Sequence, residues 1–212
     1  MKADGIREAL REALRKPLPG HDGFLELSGY KRPDIDSALR QDPAPRESAV
    51  LVLLYPKQEQ LHTLLMLRPE YEGVHSGQVS FPGGRRETQD ADLQATALRE
   101  FTEETGVDHT GTEVLGVLSR VYIPPSRSLV TPYLAYRDAL GRSRPDPREV
   151  RALLEVPLTE LLRDDAVRYR DHYVQMLGRS TSIPYFDLAD QVVWGATAMM
   201  LAELRELILR HG

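Results

Sequence analysis

Glu100, Glu103 and Glu104 fall within Ala91 to Thr105, a segment whose apolar spacing predicts a helix. At about 100° per residue the three carboxylates project within a narrow arc. Like charges so placed destabilise a helix unless a cation lies among them. Glu100 and Glu104 stand at i and i+4, so their oxygens can converge on one hard cation. Two carboxylates with open water positions are what Mg²⁺ takes when substrate phosphates complete its shell. Arg99, four residues before Glu103, has the spacing of an orienting ion pair. Upstream, Phe81-Pro82-Gly83-Gly84 provides backbone that a ligand or the helix can approach closely. The bland alternative is a solvated acidic face with Arg99 as an ordinary pair. The flanking Gly-Gly, the Arg and the closing Gly106-Val107 argue against it.

The elements that must position these residues are readable from periodicity and turn residues. Ile6 to Lys16 has helical spacing and ends at Pro17 and Pro19-Gly20. The Pro- and charge-rich stretch to Arg46 carries a weak strand or helix signal at Ile35 to Leu39. We read 1–46 as an N-terminal helix and extension packed on the main domain, 47–212. Glu47 to Tyr55 predicts a buried strand and Gln60 to Arg68 its hairpin partner. The connection between them lacks an Asn-Gly turn signature. Gln78 to Phe81, Val114 to Val121, Leu129 to Tyr136, Val150 to Val156 and Val167 to Gln175 predict further strands. Gly106 is placed to end the acidic helix. A short helix follows Pro157, and an apolar stripe from Val192 to Ile208 predicts a closing helix over Gln191 to Leu209. Strands with two long helices make an α+β fold, a mixed sheet with helices on its faces.

Composition narrows the function classes. A chain of 212 residues with net charge −5 has no electrostatic footprint for nucleic acid or an anionic membrane. With no cysteine there is no disulfide, thiolate chemistry or Cys-type zinc site, and a reducing compartment is the simplest home. The longest apolar run, Ala49 to Tyr55, is far short of the roughly 20 residues a membrane span needs. The N-terminus lacks a hydrophobic signal core. The default expectation is a cytoplasmic enzyme.

Arg99 to Val107, Arg-Glu-Phe-Thr-Glu-Glu-Thr-Gly-Val, resembles the second half of the Nudix box at every defined position. The first half departs from it. Asp90 comes six residues after Gly84 and Ala91 eight before Arg99, so the loop is one residue longer than the consensus, and its first Glu has no clean equivalent. The resemblance implies a Nudix-type α/β/α sandwich with a mixed central β-sheet and hydrolysis of a nucleoside diphosphate linked to another moiety. It implies that Glu100 and Glu104 bind Mg²⁺ or Mn²⁺ directly, that Glu103 completes the cluster as ligand or general base, and that Arg99 orients the carboxylates. The metal would neutralise the diphosphate and lower the pKa of the attacking water. Glu149 is the candidate for a further acid from a late loop, with a solvated loop charge as the alternative. Asp90 and Asp92 lack the glycine and closing Glu of a calcium loop, so helix N-capping is the better reading for them.

A longer resemblance reaches back from the box. Leu64 to Arg68 followed by Gly77 to Gly84 is similar to the coenzyme A pyrophosphatase signature, with the spacing from Arg68 to Gly77 to Phe81 kept. Met66, Pro69 and Gly73 depart from it, Gly73 standing where the signature has an arginine. Trp194-Gly195-Ala196-Thr197-Ala198 resembles the branch's C-terminal helix motif. The implied reaction splits coenzyme A or its thioesters into 3′,5′-ADP and (acyl-)4′-phosphopantetheine, with Arg68, Gly83 and Gly84 contacting substrate. Arg85, Arg86, an arginine of the Arg120 to Arg127 loop, or His75 could replace the missing arginine. The Gly73 loss also motivates ADP-ribose or another nucleoside diphosphate derivative as substrate. A non-catalytic Nudix-fold binding module is a third reading, against which stand the three retained carboxylates. Tyr185-Phe186 is expected near an adenine or pantetheine pocket. The partner is a small-molecule nucleotide, and a homodimer fits the family although no patch demonstrates one.

Overall fold

The computed structural model describes residues 3–28, 34–70, 76–174 and 178–211. Gly73 and His75 lie outside the described residues. The order is α1 (Ala3–Ala13), α2 (Asp22–Glu26), α3 (Ile35–Leu39), β1 (Arg46–Lys57), β2 (Gln60–Leu67), β3 (Val79–Ser80), β4 (Gly83–Arg85) and α4 (Leu93–Thr105). It continues with β5 (Glu113–Val117), β6 (Val121–Ile123), β7 (Ser128–Tyr136), β8 (Ala152–Pro157), α5 (Leu158–Leu161), β9 (Val167–Val174), β10 (Arg179–Leu188), β11 (Gln191–Trp194) and α6 (Gly195–His211).

The main sheet is mixed. Its path runs β3-β2-β1-β7-β5, with β4 on β1, β6 on β7 and β8 on β2. Among the described residues only β1 and β7 pair in parallel, from Arg46↔Ser128 to Leu54↔Tyr136. The run Ala49–Tyr55 is apolar throughout because helices cover both faces of β1. Val52 and Leu54 pack with Ile6 and Leu10 of α1 and Leu201 and Leu204 of α6. Ala49, Leu51, Leu53 and Tyr55 pack with Ala97 and Phe101 of α4. The alternation therefore builds the α/β/α sandwich, with the acidic helix on one face and the two terminal helices on the other.

The β1–β2 hairpin closes over Gln58-Glu59, both at positive φ (49° and 63°), although neither residue is Gly or Asn. The expected closing helix over Gln191 to Leu209 is corrected. Gln191–Trp194 is a strand paired with β10, and the helix starts at Gly195. Val192 and Val193 are β-branched and fit a strand. The two-residue turn Ala189-Asp190 (φ 49° and 57°) folds β11 back, and Gly195 (φ 68°) redirects the chain into α6. β9, β10 and β11 form a separate three-stranded sheet; β10, and elsewhere the helix α2, have no counterpart among the sequence expectations. Val114 to Val121 divides into β5 and β6, and Ile35 to Leu39 is helical.

Candidate active site

α4 begins where the Asp92 carboxylate accepts the Ala95 N–H (2.8 Å) and ends at Gly106 in the left-handed region (φ 68°). A side chain at Gly106 would also collide with the Arg144 backbone. Phe101, fully buried, fixes the helix against β1 and thereby sets where Glu100 and Glu104 point. They point at β4. Glu104 is 1% exposed and accepts the Gly83 N–H at 2.7 Å. A Cβ at Gly84 would collide with the Glu100 carboxylate, and one at Gly83 with the Ala49 carbonyl of β1. The Gly-Gly pair is thus what lets two carboxylates lie against a strand.

Arg99 organises the other acids. Its Nε and Nη2 donate to the two oxygens of Asp90 (2.9 Å each), a bidentate pair. Nη2 also donates to the Arg85 carbonyl (3.0 Å), and Nη1 reaches Glu103 (2.8 Å) and Glu100 (3.1 Å). Asp90 does not cap the helix; that expectation is corrected. It also accepts from Thr96 Oγ1 (2.8 Å) and the Glu87 N–H (2.9 Å), so it closes the loop onto the helix. The extra loop residue therefore falls between Asp90 and Arg99, leaving a carboxylate six residues after Gly84 to hold the arginine. These bonds from Arg99 hold the Asp90 carboxyl well below the usual carboxylate range, and Asp90 in turn raises Arg99.

The glutamates differ in environment. Burial pushes Glu104 up to about 8, against the Gly83 N–H and Arg68, while the charges of Glu100 and Glu149 add to the rise. Arg68 Nη1 stands 4.0 Å from Glu104 Oε1. Burial also raises Glu100, with Arg99 opposing and Glu103 and Glu149 adding. Glu103, its side chain 58% exposed, is held by Arg99 alone among the described residues. Glu149 comes near because the Arg144 and Asp146 N–H groups donate to the Thr105 and Glu104 carbonyls (2.9 and 3.2 Å), docking its loop on the end of α4. Among the described residues the acids form no closed three-ligand set. Two desolvated carboxylates whose ionisation is opposed by burial and by neighbouring acids fit a divalent cation, which would remove that opposition.

Arg68, Gly83 and Gly84 also line a cleft of about 1530 Å³, so they are what it shares with the acidic cluster. The acids themselves do not line it. Its floor is one face of the sheet, from Ser48 and Val50 of β1 and Ser128 and Val130 of β7. Phe24 of α2, Trp194 and Thr197 contribute to its walls, and Thr197 Oγ1 donates to the Val79 carbonyl (3.0 Å). Tyr185-Phe186 lies next to the cleft without lining it: Ile183 and Pro184 line it, and Phe186 is fully buried and stacks on the wall residue Phe24 (5.7 Å). Sequence reasoning missed α2 because a five-residue helix without apolar periodicity has no signal of its own.

Residues 45–177 match the family model of the NUDIX domain. The chain is 32% identical to the Nudix hydrolase NudL of Enterobacter sp. (strain 638) over 189 residues, 86% of this chain and 92% of that one. It is 32% identical to "Nudix hydrolase 22, chloroplastic" of Arabidopsis thaliana over 211 residues, 96% of this chain. It spans 65% of that plant protein's length. Among solved structures, the Nudix hydrolase RenU of M. Smegmatis matches with TM-score 0.53 at 18% identity, covering 79% of this chain and 88% of that one. At these identities the structural likeness speaks for the fold alone. Among the described residues no helix is long and apolar enough to cross a membrane.

Proposed function

Because the chain belongs to the Nudix hydrolase family, we propose that it is a divalent-cation-dependent pyrophosphohydrolase acting on coenzyme A or its thioesters. The products are 3′,5′-ADP and (acyl-)4′-phosphopantetheine. The observation that carries this reading is the placement of Arg68, Gly83 and Gly84, the residues of the coenzyme A signature, where the cleft meets the acidic cluster. Glu100 and Glu104, with Glu103, would hold Mg²⁺ or Mn²⁺, which supplies charge neutralisation and a lowered pKa for the attacking water.

The chain's own residues do the rest. Arg68, which lines the cleft and has Glu104 as its single acidic partner among the described residues, offers a guanidinium to the diphosphate. Gly83-Gly84 keeps the approach free of side chains, and Arg99, which does not line the cleft, holds Glu100 and Glu103 in place. Glu103 and Glu149 are the two candidates for general base; both are exposed enough to exchange protons with solvent.

Coenzyme A, ADP-ribose, NADH and nucleotide sugars assayed side by side with Mg²⁺ and Mn²⁺ test the proposal. Coenzyme A or an acyl thioester should rank among the best by kcat/KM, and Glu104→Gln should abolish the metal-dependent activity. A clear preference for ADP-ribose would replace the substrate. Binding without turnover across the panel would make the protein a Nudix-fold binding module.

A further inference from the structure

Among the described residues four arginines line the cleft, and they are not equivalent. Arg68 faces Glu104. Arg46, Arg85 and Arg127 also line the cleft, yet none of them is paired with a carboxylate among the described residues. Arg86, adjacent in sequence, is spent elsewhere: it binds Glu47 (3.1 Å) and the Ala91 carbonyl (3.3 Å) and does not line the cleft.

Backbone geometry holds Arg46 and Arg127 together. The Arg46 N–H donates to the Arg127 carbonyl (2.8 Å), and Arg46 pairs with Ser128 where β1 and β7 begin. Arg127 ends the short turn Pro124–Ser126 with φ 50°, a left-handed backbone that disfavours a bulky side chain. Its guanidinium donates to the Pro43 carbonyl, which anchors it and leaves further N–H groups free for another acceptor. Ser48 and Ser128, on the same sheet face, add hydroxyls to the lining of the same cleft, that of Ser128 also donating to the Ser126 carbonyl (3.4 Å). Cations without a counter-charge beside hydroxyl donors in a concave site are the chemistry that recognises a phosphate monoester.

We infer that Arg46 and Arg127, with Ser48 and Ser128, form a second anion subsite that selects substrates carrying a phosphate monoester in addition to the diphosphate. The inference rests on the coenzyme A reading and deepens it, since the 3′-phosphate is the group concerned. It also gives that phosphate a partner in a chain with Gly73 where the signature has an arginine.

The test is the ratio of kcat/KM for coenzyme A over 3′-dephospho-coenzyme A. Arg127→Gln should lower the ratio about tenfold or more, the loss of a charge-assisted contact, and Arg46→Gln with Arg127→Gln should lower it further. Arg86→Gln should leave the ratio at the wild-type value. An unmoved ratio in folded Arg127→Gln and in the double variant overturns the inference. If the wild type turns over neither compound, the substrate reading fails by itself, and calorimetry with 3′,5′-ADP and 5′-AMP reads the subsite directly. A preference for 3′,5′-ADP that Arg127→Gln removes supports it; equal binding of the two overturns it.

Discussion

Asp90 and Arg99 show how one residue governs the acidic site. Asp90 is 7% exposed and accepts two hydrogen bonds from a guanidinium that in turn holds Glu100 and Glu103. Asp90→Asn leaves a poorly hydrated cation without its main partner, and we expect a loss of about 3 kcal/mol in urea unfolding, with lower kcat. The pH dependence has a definite sign. The folded Asp90 carboxyl lies well below its unfolded value of about 4. Its contribution is therefore complete above pH ~4 and disappears as pH falls further. The urea midpoint of the wild type should fall more steeply below pH ~4 than that of Asp90→Asn; parallel curves would refute the assignment. Glu103 and Glu149 make a second prediction. Whichever is the base should lose roughly 10²–10⁴ in kcat as Gln with little change in substrate affinity, and equal modest losses at both would remove the assignment. The i, i+4 arrangement of Arg99, Glu100, Glu103 and Glu104 was legible because helical spacing is local. The Asp90 partnership was not, because it crosses a loop of altered length that has no period.

Elements were legible where burial imposed a pattern. β1, β2, β7 and α4 follow directly from apolar runs and spacing, since both faces of β1 are covered and α4 has a cap at each end. The β10–β11 hairpin was not legible. Its turn residues Ala189 and Asp190 give no hairpin signal, and the apolar stripe of α6 extends through Val192 and Val193 by coincidence of spacing. The same economy of signal appears at Gln58-Glu59, where the surrounding pairing holds two ordinary residues in the left-handed region. Replacing that pair by Asn-Gly should stabilise the protein by about 1 kcal/mol. For a chain of this size that is a rise in Tm of about 2–4 °C. An unchanged or lower Tm in calorimetry would show that the strands, not the turn, set the hairpin's stability.

At the scale of the molecule, Glu203 is where distant segments meet. Fully buried on α6, it accepts the Gly20 N–H (3.0 Å), the Ser119 N–H (2.9 Å) and the Ser119 hydroxyl (2.6 Å). His21 adds a bond from Nε2 to the Ser119 carbonyl (3.1 Å). The segment leading to α2, and so to Phe24 in the cleft wall, is thereby tied to the closing helix. Glu203→Ala strips three donors of their acceptor and should cost roughly 3 kcal/mol or more. It should also raise KM more than it lowers kcat, because the wall is displaced and the acidic helix is not; the reverse split would separate Glu203 from the cleft. None of this could be read along the chain, since Gly20, Ser119 and Glu203 are joined only by the packing of the fold. The parallel pairing of β1 with β7 carries one more consequence. Antiparallel neighbours such as β1 and β2 can zip from a short turn, but β1 and β7 meet only after a long loop, with α4 inside it, has closed. The nascent chain must therefore wait for β7 to leave the ribosome before the acidic helix has both strands to rest on. Contacts so distant in sequence slow folding, so the acidic cluster takes its place only after the chain has been made as far as Tyr136.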